Sequence, residues 1–297
     1  MLNNKLIKVL RRAYKLFISK NPLQMAGATA FFTTFALPCI LLILVQTIGL
    51  FHNPDNIKQG IFVELTTVLG EGGSAKINGI LNQFQKAGYN WIPATAGFLF
   101  MLFVVTTLFN VVRITLNTIW NIQTKEQAGI IYHFKLRLKS LLVIAFAGII
   151  VSVQLMASAL QGLLKNSDNE IWSGYNSLLY KIITQLVFMI IATGWFTVLF
   201  KYLANAHPAW RTALTGGIFT GILFTFGKII LGLLLSLTVL ETLFGNAGSF
   251  VLVLLFVFYS SFIFYYGAAF TKAWADEGNR KFALEKNAHR YHVKEGE

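Results

Sequence analysis

Six long runs of apolar residues divide the chain and dominate its sequence pattern. At about 1.5 Å of rise per helical residue, each run is longer than the hydrocarbon core of a bilayer, which is about 30 Å thick. None shows the two-residue alternation of a barrel strand, so the pattern predicts transmembrane α-helices. The six predicted spans are Gly27–Leu50, Trp91–Val112, Leu141–Leu164, Leu178–Tyr202, Gly216–Leu240 and Ser249–Trp274.

The composition points to the same class of protein. Of the 297 residues, 55% are hydrophobic and only 12% are charged, and the mean hydropathy is +0.61. A soluble domain carries about 25% charged residues. The predicted fold is an all-α integral membrane protein with a six-helix transmembrane domain at residues 25–274. A cytoplasmic amphipathic segment at 1–24 precedes it, and a cytoplasmic tail at 275–297 follows it.

The basic residues orient the predicted spans. Most lie before the first span, between the second and third, between the fourth and fifth, and in the tail. The opposite side holds only Lys58, Lys76, Lys86, Lys165 and Lys181. By the positive-inside rule, both termini face the cytoplasm. The net charge of +13 then lies beside anionic headgroups, so we expect membrane lipids as partners and no nucleic acid.

Two amphipathic segments lie outside the predicted spans. In Lys5–Phe17 the apolar positions share one helical face and basic residues fill the other, which is typical of a helix lying on the cytoplasmic leaflet. A helix packed on the protein's own surface has the same pattern, so this alternative stays open. The connection 51–90 predicts two short amphipathic helices that roof the outer face, as a lid or as a packed cap.

The residues suggest no catalytic or metal-binding constellation. The five histidines lie outside the spans, and none is spaced with cysteine or carboxylate as a metal ligand. The sequence holds no glycine-rich phosphate loop and suggests no Ser/His/Asp arrangement. We therefore expect no enzymatic activity, no metal and no cofactor. The single cysteine, Cys39, falls inside a span and offers no disulfide framework.

Polar side chains recur along single faces of the spans. Asn110, Arg113 and Asn117 share a face of the helix that continues the second span, because they are three and four residues apart. Gln154 in the third span and Gln185 in the fourth add further amides. Such residues either line or border the path of a substrate or hydrogen-bond neighbouring helices together, and both interpretations stay open.

Three other residues predict how the helices pack. Gly217 and Gly221 have the GxxxG spacing that lets a neighbouring helix approach closely. Pro38 stands in the middle of the first span, where a proline frees the carbonyl four residues earlier, that of Thr34. This carbonyl is a candidate partner for a buried cation.

Lys228 is such a cation, at the middle of the fifth span, and no Asp or Glu lies within any of the six spans. A charge near the bilayer midplane is costly, and at about 18 Å from either end the lysine is too deep to reach an interface by snorkelling. It could be deprotonated, held by carbonyls and polar side chains, or placed in a water-filled cavity with an anionic ligand. We favour the cavity.

Six short motifs are distributed over roughly residues 5–275. They are Ala30-Phe31-Phe32 with Pro38, Asn117-Thr118-Ile119-Trp120, Pro208 with Gly216-Gly217, Phe244-Gly245-Asn246-Ala247-Gly248-Ser249, Phe256-Val257-Phe258-Tyr259-Ser260-Ser261 and Gly267-Ala268-Ala269-Phe270-Thr271-Lys272. Together they resemble the signature of the YihY/BrkB family of bacterial inner-membrane proteins. The resemblance implies six transmembrane helices and a transport role for lipids or other amphiphiles. The family's older ribonuclease label finds no support in these residues.

The chain also departs from the family pattern. The resemblance implies Gly-Ala-Glu where this chain has Gly267-Ala268-Ala269, so a carboxylate expected in the sixth span is absent. If that carboxylate pairs with a basic residue in the family, Lys228 lacks such a partner here.

The preferred functional prediction is a transporter-like or flippase-like protein of the bacterial inner membrane. Lys228 would attract an anionic lipid or a small anionic substrate in a central polar cavity. A non-transporting scaffold that assembles through its GxxxG face, as a homo-oligomer for example, is the alternative. A membrane-embedded nuclease or lipid hydrolase is a third and less favoured hypothesis.

Overall fold

Five of the six apolar runs form long α-helices. A computed structural model of the protein describes residues 2–49, 75, 79, 91–124, 176–235, 248–285 and 288–291. The helices are α1 (Leu2–Ile18), α2 (Pro22–Gly49), α3 (Trp91–Ile119), α4 (Asn176–Tyr202), α5 (Trp210–Leu235) and α6 (Gly248–Glu277). The predicted span Leu141–Leu164, with Gln154, lies outside the described residues. So does the connection 51–90, apart from Ala75 and Gly79, which are helical as expected for the second roof helix.

The sequence accounts for where several helices end. Asn21, Asn121 and Asn279 follow the ends of α1, α3 and α6, with φ angles of 51°, 54° and 50°. Asparagine adopts this left-handed conformation more readily than most residues, so it can end a helix without glycine. By contrast, α2 continues through Pro38 without interruption.

Helix α6 is the central packing element. It contacts α1, α2, α3 and α5, whereas α4 packs mainly on α5. Much of the C-terminal half of α6 is buried, and Tyr265, Ala268 and Ala269 are fully inaccessible. The hydroxyl of Tyr265 is hydrogen-bonded to that of Thr29 on α2, at 2.5 Å. This bond satisfies two polar groups that would otherwise be unpaired in an apolar interior.

The helix ends that carry most of the basic residues meet at one end of the bundle. This basic end consists of α1, the C-terminal ends of α3, α4 and α6, and the start of α5. Two small antiparallel sheets join it: β1 (Ile122–Thr124) pairs with β4 (Ala288–Arg290), and β2 (Ala206–His207) pairs with β3 (Ala283–Leu284). These strands are a short exception to the predicted all-α fold.

Helix α1 divides its apolar face between the protein and its surroundings. Val9, Ala13 and Phe17 are buried, and the Phe17 ring packs edge-on against Phe262 of α6, with 4.8 Å between the ring centroids. Farther round the helix, Ile7, Tyr14 and Ile18 are exposed. The alternative of a helix packed on the protein's own surface is therefore correct for part of the face, and an apolar flank remains outside.

Apolar side chains also cover the lateral surface of the bundle. A stripe with a spacing of four residues runs along α5, and every member is more than one third exposed. Its members are Leu214, Ile218, Ile222, Phe226 and Ile230. Two described stretches, Gln185–Tyr202 and Val253–Glu277, are long and apolar enough to cross a membrane. Only 28% of the first is buried inside the protein, unlike the core helix of a soluble domain.

Candidate functional site

Lys228 points from α5 toward α4. Its ammonium nitrogen lies 4.0 Å from the centroid of the Phe188 ring, so the positive charge faces the electron-rich face of an aromatic ring. Phe226 and Ile230, two residues to either side, are 62% and 51% exposed. A two-residue offset places them on roughly the opposite side of the helix, so the lysine is directed inward and not toward the exposed stripe.

Glycines set the distance between α4 and α5. A side chain at Gly217 would overlap Thr197, and one at Gly221 would overlap Thr193. The two glycines of the GxxxG segment on α5 therefore pack against two threonines that are also four residues apart on α4. This is the close approach of a neighbouring helix that the GxxxG spacing predicts. Continuing this antiparallel spacing places Gln185 at the level of Lys228.

Two buried polar atoms near this level have no hydrogen-bond partner within the described part of the chain. They are Nε2 of Gln185 and Oγ1 of Thr225, which lies one turn before Lys228 on α5. Helical threonines such as Thr197 and Thr220 instead donate to the carbonyl four residues earlier. A buried polar atom without a partner costs about 1–3 kcal/mol, so this pair marks a position where a water or a ligand would be stabilised.

Helix α6 supplies the third wall at this level. Gly227 lies against Tyr259, whose ring a side chain at position 227 would overlap. We therefore define the Lys228 level by Lys228, Thr225, Gln185, Phe188 and Tyr259. Sequence reasoning identified Lys228 and Gln185 but missed Phe188 and Tyr259, because no local pattern distinguishes these two from the many other aromatic residues of the chain.

Thr34 and Pro38 belong to a different part of the bundle. The Thr34 hydroxyl is buried and donates to the carbonyl of Ala30, at 2.8 Å. Their helix, α2, packs against α3 and α6, whereas α5 packs against α4 and α6. The principal neighbours of α2 therefore do not include the helix that carries Lys228.

The polar stripe on α3 separates into two structures. Arg113 donates to the side-chain oxygen of Asn110, which is exposed on the surface of the bundle. Asn117 is buried at the basic end, where its Nδ2 donates to Oδ1 of Asn205 at 2.9 Å and its Oδ1 accepts from the Asn205 backbone at 3.0 Å. Asn205 in turn donates to Glu285. Asn117 thus joins α3 to the turn after α4 and to the C-terminal segment.

Residues 13–292 match the family model for virulence factor BrkB. The chain belongs to this family. Among its relatives, the UPF0761 membrane protein of Saccharophagus degradans is 24% identical over 271 residues, which are 89% of this chain and 59% of the relative. The UPF0761 membrane protein of Pseudomonas aeruginosa is 26% identical over 260 residues, or 85% and 59% of the two chains.

The chain spans less than two thirds of the length of these curated relatives. No solved structure matches it. Since the relatives are membrane proteins and the described helices are long and apolar, this BrkB-family chain is a membrane protein.

The packing of α5 against α6 also shows where a glutamate at position 269, which the family pattern led us to expect, would lie. Gly216 lies against Thr271, and Thr220 lies against Gly267. In this antiparallel register, Ala269 is level with residue 218 of α5, about 15 Å along the axis from Lys228. A glutamate at position 269 would therefore be too distant to pair with Lys228 directly, so the substitution at Ala269 does not deprive Lys228 of a direct partner.

Proposed function

We propose that this chain is a six-span protein of the bacterial inner membrane with both termini in the cytoplasm. It would bind the anionic headgroup of an amphiphile at the Lys228 level and carry it between the leaflets. The observation that carries the proposal is the inward-facing ammonium of Lys228 beside buried polar atoms of Gln185 and Thr225 that have no partner in the described residues.

The energetics of Lys228 support a ligand. A charged lysine at the middle of a membrane helix costs about 3 kcal/mol or more, and a desolvated cation–π contact returns about 2 kcal/mol. An anionic group would stabilise the ammonium further through a charge-assisted hydrogen bond, in addition to the contacts that Lys228 makes within the protein. The Gln185 amide would be a second donor, because its buried Nε2 has no hydrogen-bond partner among the described residues.

Reconstitution of the purified chain tests the proposal. Vesicles containing a fluorescent phosphatidylglycerol analogue would report its movement between leaflets as the fraction accessible to an external quencher. We expect Lys228→Met to reduce the rate at least tenfold and Lys228→Arg to retain most of it. Lys15→Met, at an exposed position on α1, is the matched control. Equal rates for wild type and Lys228→Met would refute transport through this site.

The alternative of a scaffold assembling through its GxxxG face is less favourable. Gly217 and Gly221 are covered by Thr197 and Thr193 of the same chain, so a partner would have to displace α4. We likewise propose no enzymatic step, and the purified protein should hydrolyse neither RNA nor lipid, with or without added divalent metal.

A further inference from the structure

A second polar site lies at the basic end, well separated from Lys228. It is a pocket of about 400 Å³ between α1, the end of α3, the end of α6 and the C-terminal strand β4. Among the residues that the structure describes, five basic side chains and one carboxylate line it. The basic residues are Arg12, Lys272, Arg280, Lys281 and Arg290, and the acid is Asp276.

One carboxylate cannot neutralise this pocket. Asp276 lies 2.7 Å from the ammonium of Lys272 and 3.7 Å from the guanidinium of Arg12, so its single charge is shared. Among the described residues, no carboxylate lies within ion-pairing distance of Arg280 or Arg290. The described lining residues therefore carry a net excess of four positive charges, which favours an anionic occupant.

Two of the residues that line the pocket are buried. Lys272 is 9% exposed, and Trp120 is 1% exposed and donates its indole N–H to the carbonyl of Ala268, at 3.0 Å. Arg290 is positioned by backbone pairing with Ile122, and the Tyr291 backbone donates to the carbonyl of Asn121. Segments far apart in the sequence are thus held together around the cavity.

Asn121 adds a second requirement on the occupant. Its Oδ1 is buried and has no donor within the described part of the chain. An inorganic anion that brings only acceptors would leave this atom unsatisfied. A ligand that combines an anionic group with a hydroxyl would satisfy both the basic side chains and this amide oxygen.

We propose that this pocket binds a phosphoglycerol group. The phosphate oxygens accept charge-assisted hydrogen bonds from the arginine and lysine side chains, and a glycerol hydroxyl donates to Asn121 Oδ1. The group can come from the headgroup of an anionic phospholipid or from a soluble glycerol phosphate. The pocket does not depend on transport at Lys228, because Lys272 is about 20 Å along α6 from the Lys228 level.

Two charge-matched double variants of the full-length protein test the site. Arg280→Gln with Arg290→Gln removes two exposed charges that line the pocket, and Arg11→Gln with Lys15→Gln removes two exposed charges of α1 that do not line it. Calorimetry with glycerol phosphate measures the soluble source. Native mass spectrometry from nanodiscs, with and without phosphatidylglycerol, measures the lipid source.

We expect the pocket variant to lose more than about tenfold in affinity for at least one source, and the α1 variant to change less than about twofold. Loss for glycerol phosphate assigns a soluble ligand, and loss of phosphatidylglycerol retention alone assigns a lipid headgroup. Equal losses in both variants would mean general surface electrostatics, and no binding by the wild type would mean no site; either result overturns the proposal.

Asn121→Gly tests the hydroxyl contact separately, since glycine keeps the left-handed backbone while the amide is removed. If the soluble source binds, we expect a several-fold loss of affinity for glycerol phosphate and none for sulfate, an anion that carries no hydrogen-bond donor. If only the lipid binds, retention of phosphatidylglycerol falls and that of phosphatidylmethanol, an anionic phosphodiester whose headgroup carries no hydroxyl, does not. Equal behaviour toward both ligands of either pair would disprove the phosphoglycerol assignment.

Discussion

The Thr220 side chain on α5 lies directly against the α-carbon of Gly267 on α6. The relationship recurs in reverse, because Thr271 on α6 lies against Gly216 on α5. Each threonine hydroxyl donates to the carbonyl of the glycine one turn earlier in its own helix, at 2.7 and 2.8 Å. Two antiparallel Gly-x-x-x-Thr segments thus interlock with their hydroxyl groups satisfied within each helix.

This interlock predicts a large cost for a single methyl group. Gly267→Ala places a Cβ on the Thr220 side chain, and overpacking of this kind costs about 1–3 kcal/mol. Gly194→Ala on α4 is the matched control, because no atom lies within 4 Å of a Cβ at that position. It should be neutral or stabilising by up to about 1 kcal/mol. Thermal unfolding in detergent measures both; similar midpoints would contradict the interlock.

The contact of α5 with α4 involves backbone as well as side-chain atoms, whereas the interlock of α5 with α6 involves side-chain atoms of the threonines. A Cβ at Gly217 meets the Thr197 side chain but also the backbone carbonyl of Thr193, at 2.8 Å. We therefore expect Thr220→Ala to relieve much of the loss caused by Gly267→Ala, whereas Thr197→Ala relieves little of the loss caused by Gly217→Ala. Double-mutant cycles of unfolding free energy measure the two couplings. Equal rescue in both cycles would mean that the backbone of α4 shifts away from α5 to accommodate the added methyl group.

The long helices were predictable from the sequence, and their partners were not. An apolar run of this length in a membrane satisfies its backbone only as a helix, so α2 to α6 follow from composition. The glycines at 217 and 221 predict a close neighbour but do not identify α4. The hydrogen bonds of Asn117 go to Asn205, 88 residues away, and no local pattern reports that distance. The basic pocket likewise needs segments brought together by β1 and β4.

The Asn117 link predicts different consequences for two asparagines of one stripe. Asn117→Ala leaves the buried Asn205 backbone N–H without its acceptor, which costs about 1–3 kcal/mol. Asn110→Ala, at the exposed position bonded to Arg113, should change stability by less than about 0.5 kcal/mol. Unfolding midpoints of both variants provide the comparison. Equal destabilisation would show that Asn117 is not a tertiary link.

The two flanks of α1 should also respond differently to charge. Val9 is 1% exposed and packs in a cluster with Phe270 and Ala273 of α6, so Val9→Asp buries a carboxylate and should detach the helix at a cost of several kcal/mol. Ile7 is 59% exposed, and Ile7→Asp should leave the unfolding midpoint nearly unchanged. Protease accessibility of α1 in nanodiscs measures detachment. Cleavage of both variants at equal rates would contradict the packed position of Val9.

Lys228→Met should separate stability from function. The substitution removes a charge that is costly in a membrane helix together with the contacts of the ammonium, including the cation–π contact with Phe188, so the two effects offset each other and the unfolding midpoint of the unliganded protein should change little. Phe188→Leu removes the aromatic ring but keeps Lys228, so it should lower the unfolding midpoint of the protein. Added anionic amphiphile should raise the unfolding midpoint of the wild type and of Phe188→Leu, but not that of Lys228→Met. A Lys228→Met protein that is less stable yet retains the ligand-dependent shift would mean that the lysine only holds the helices together.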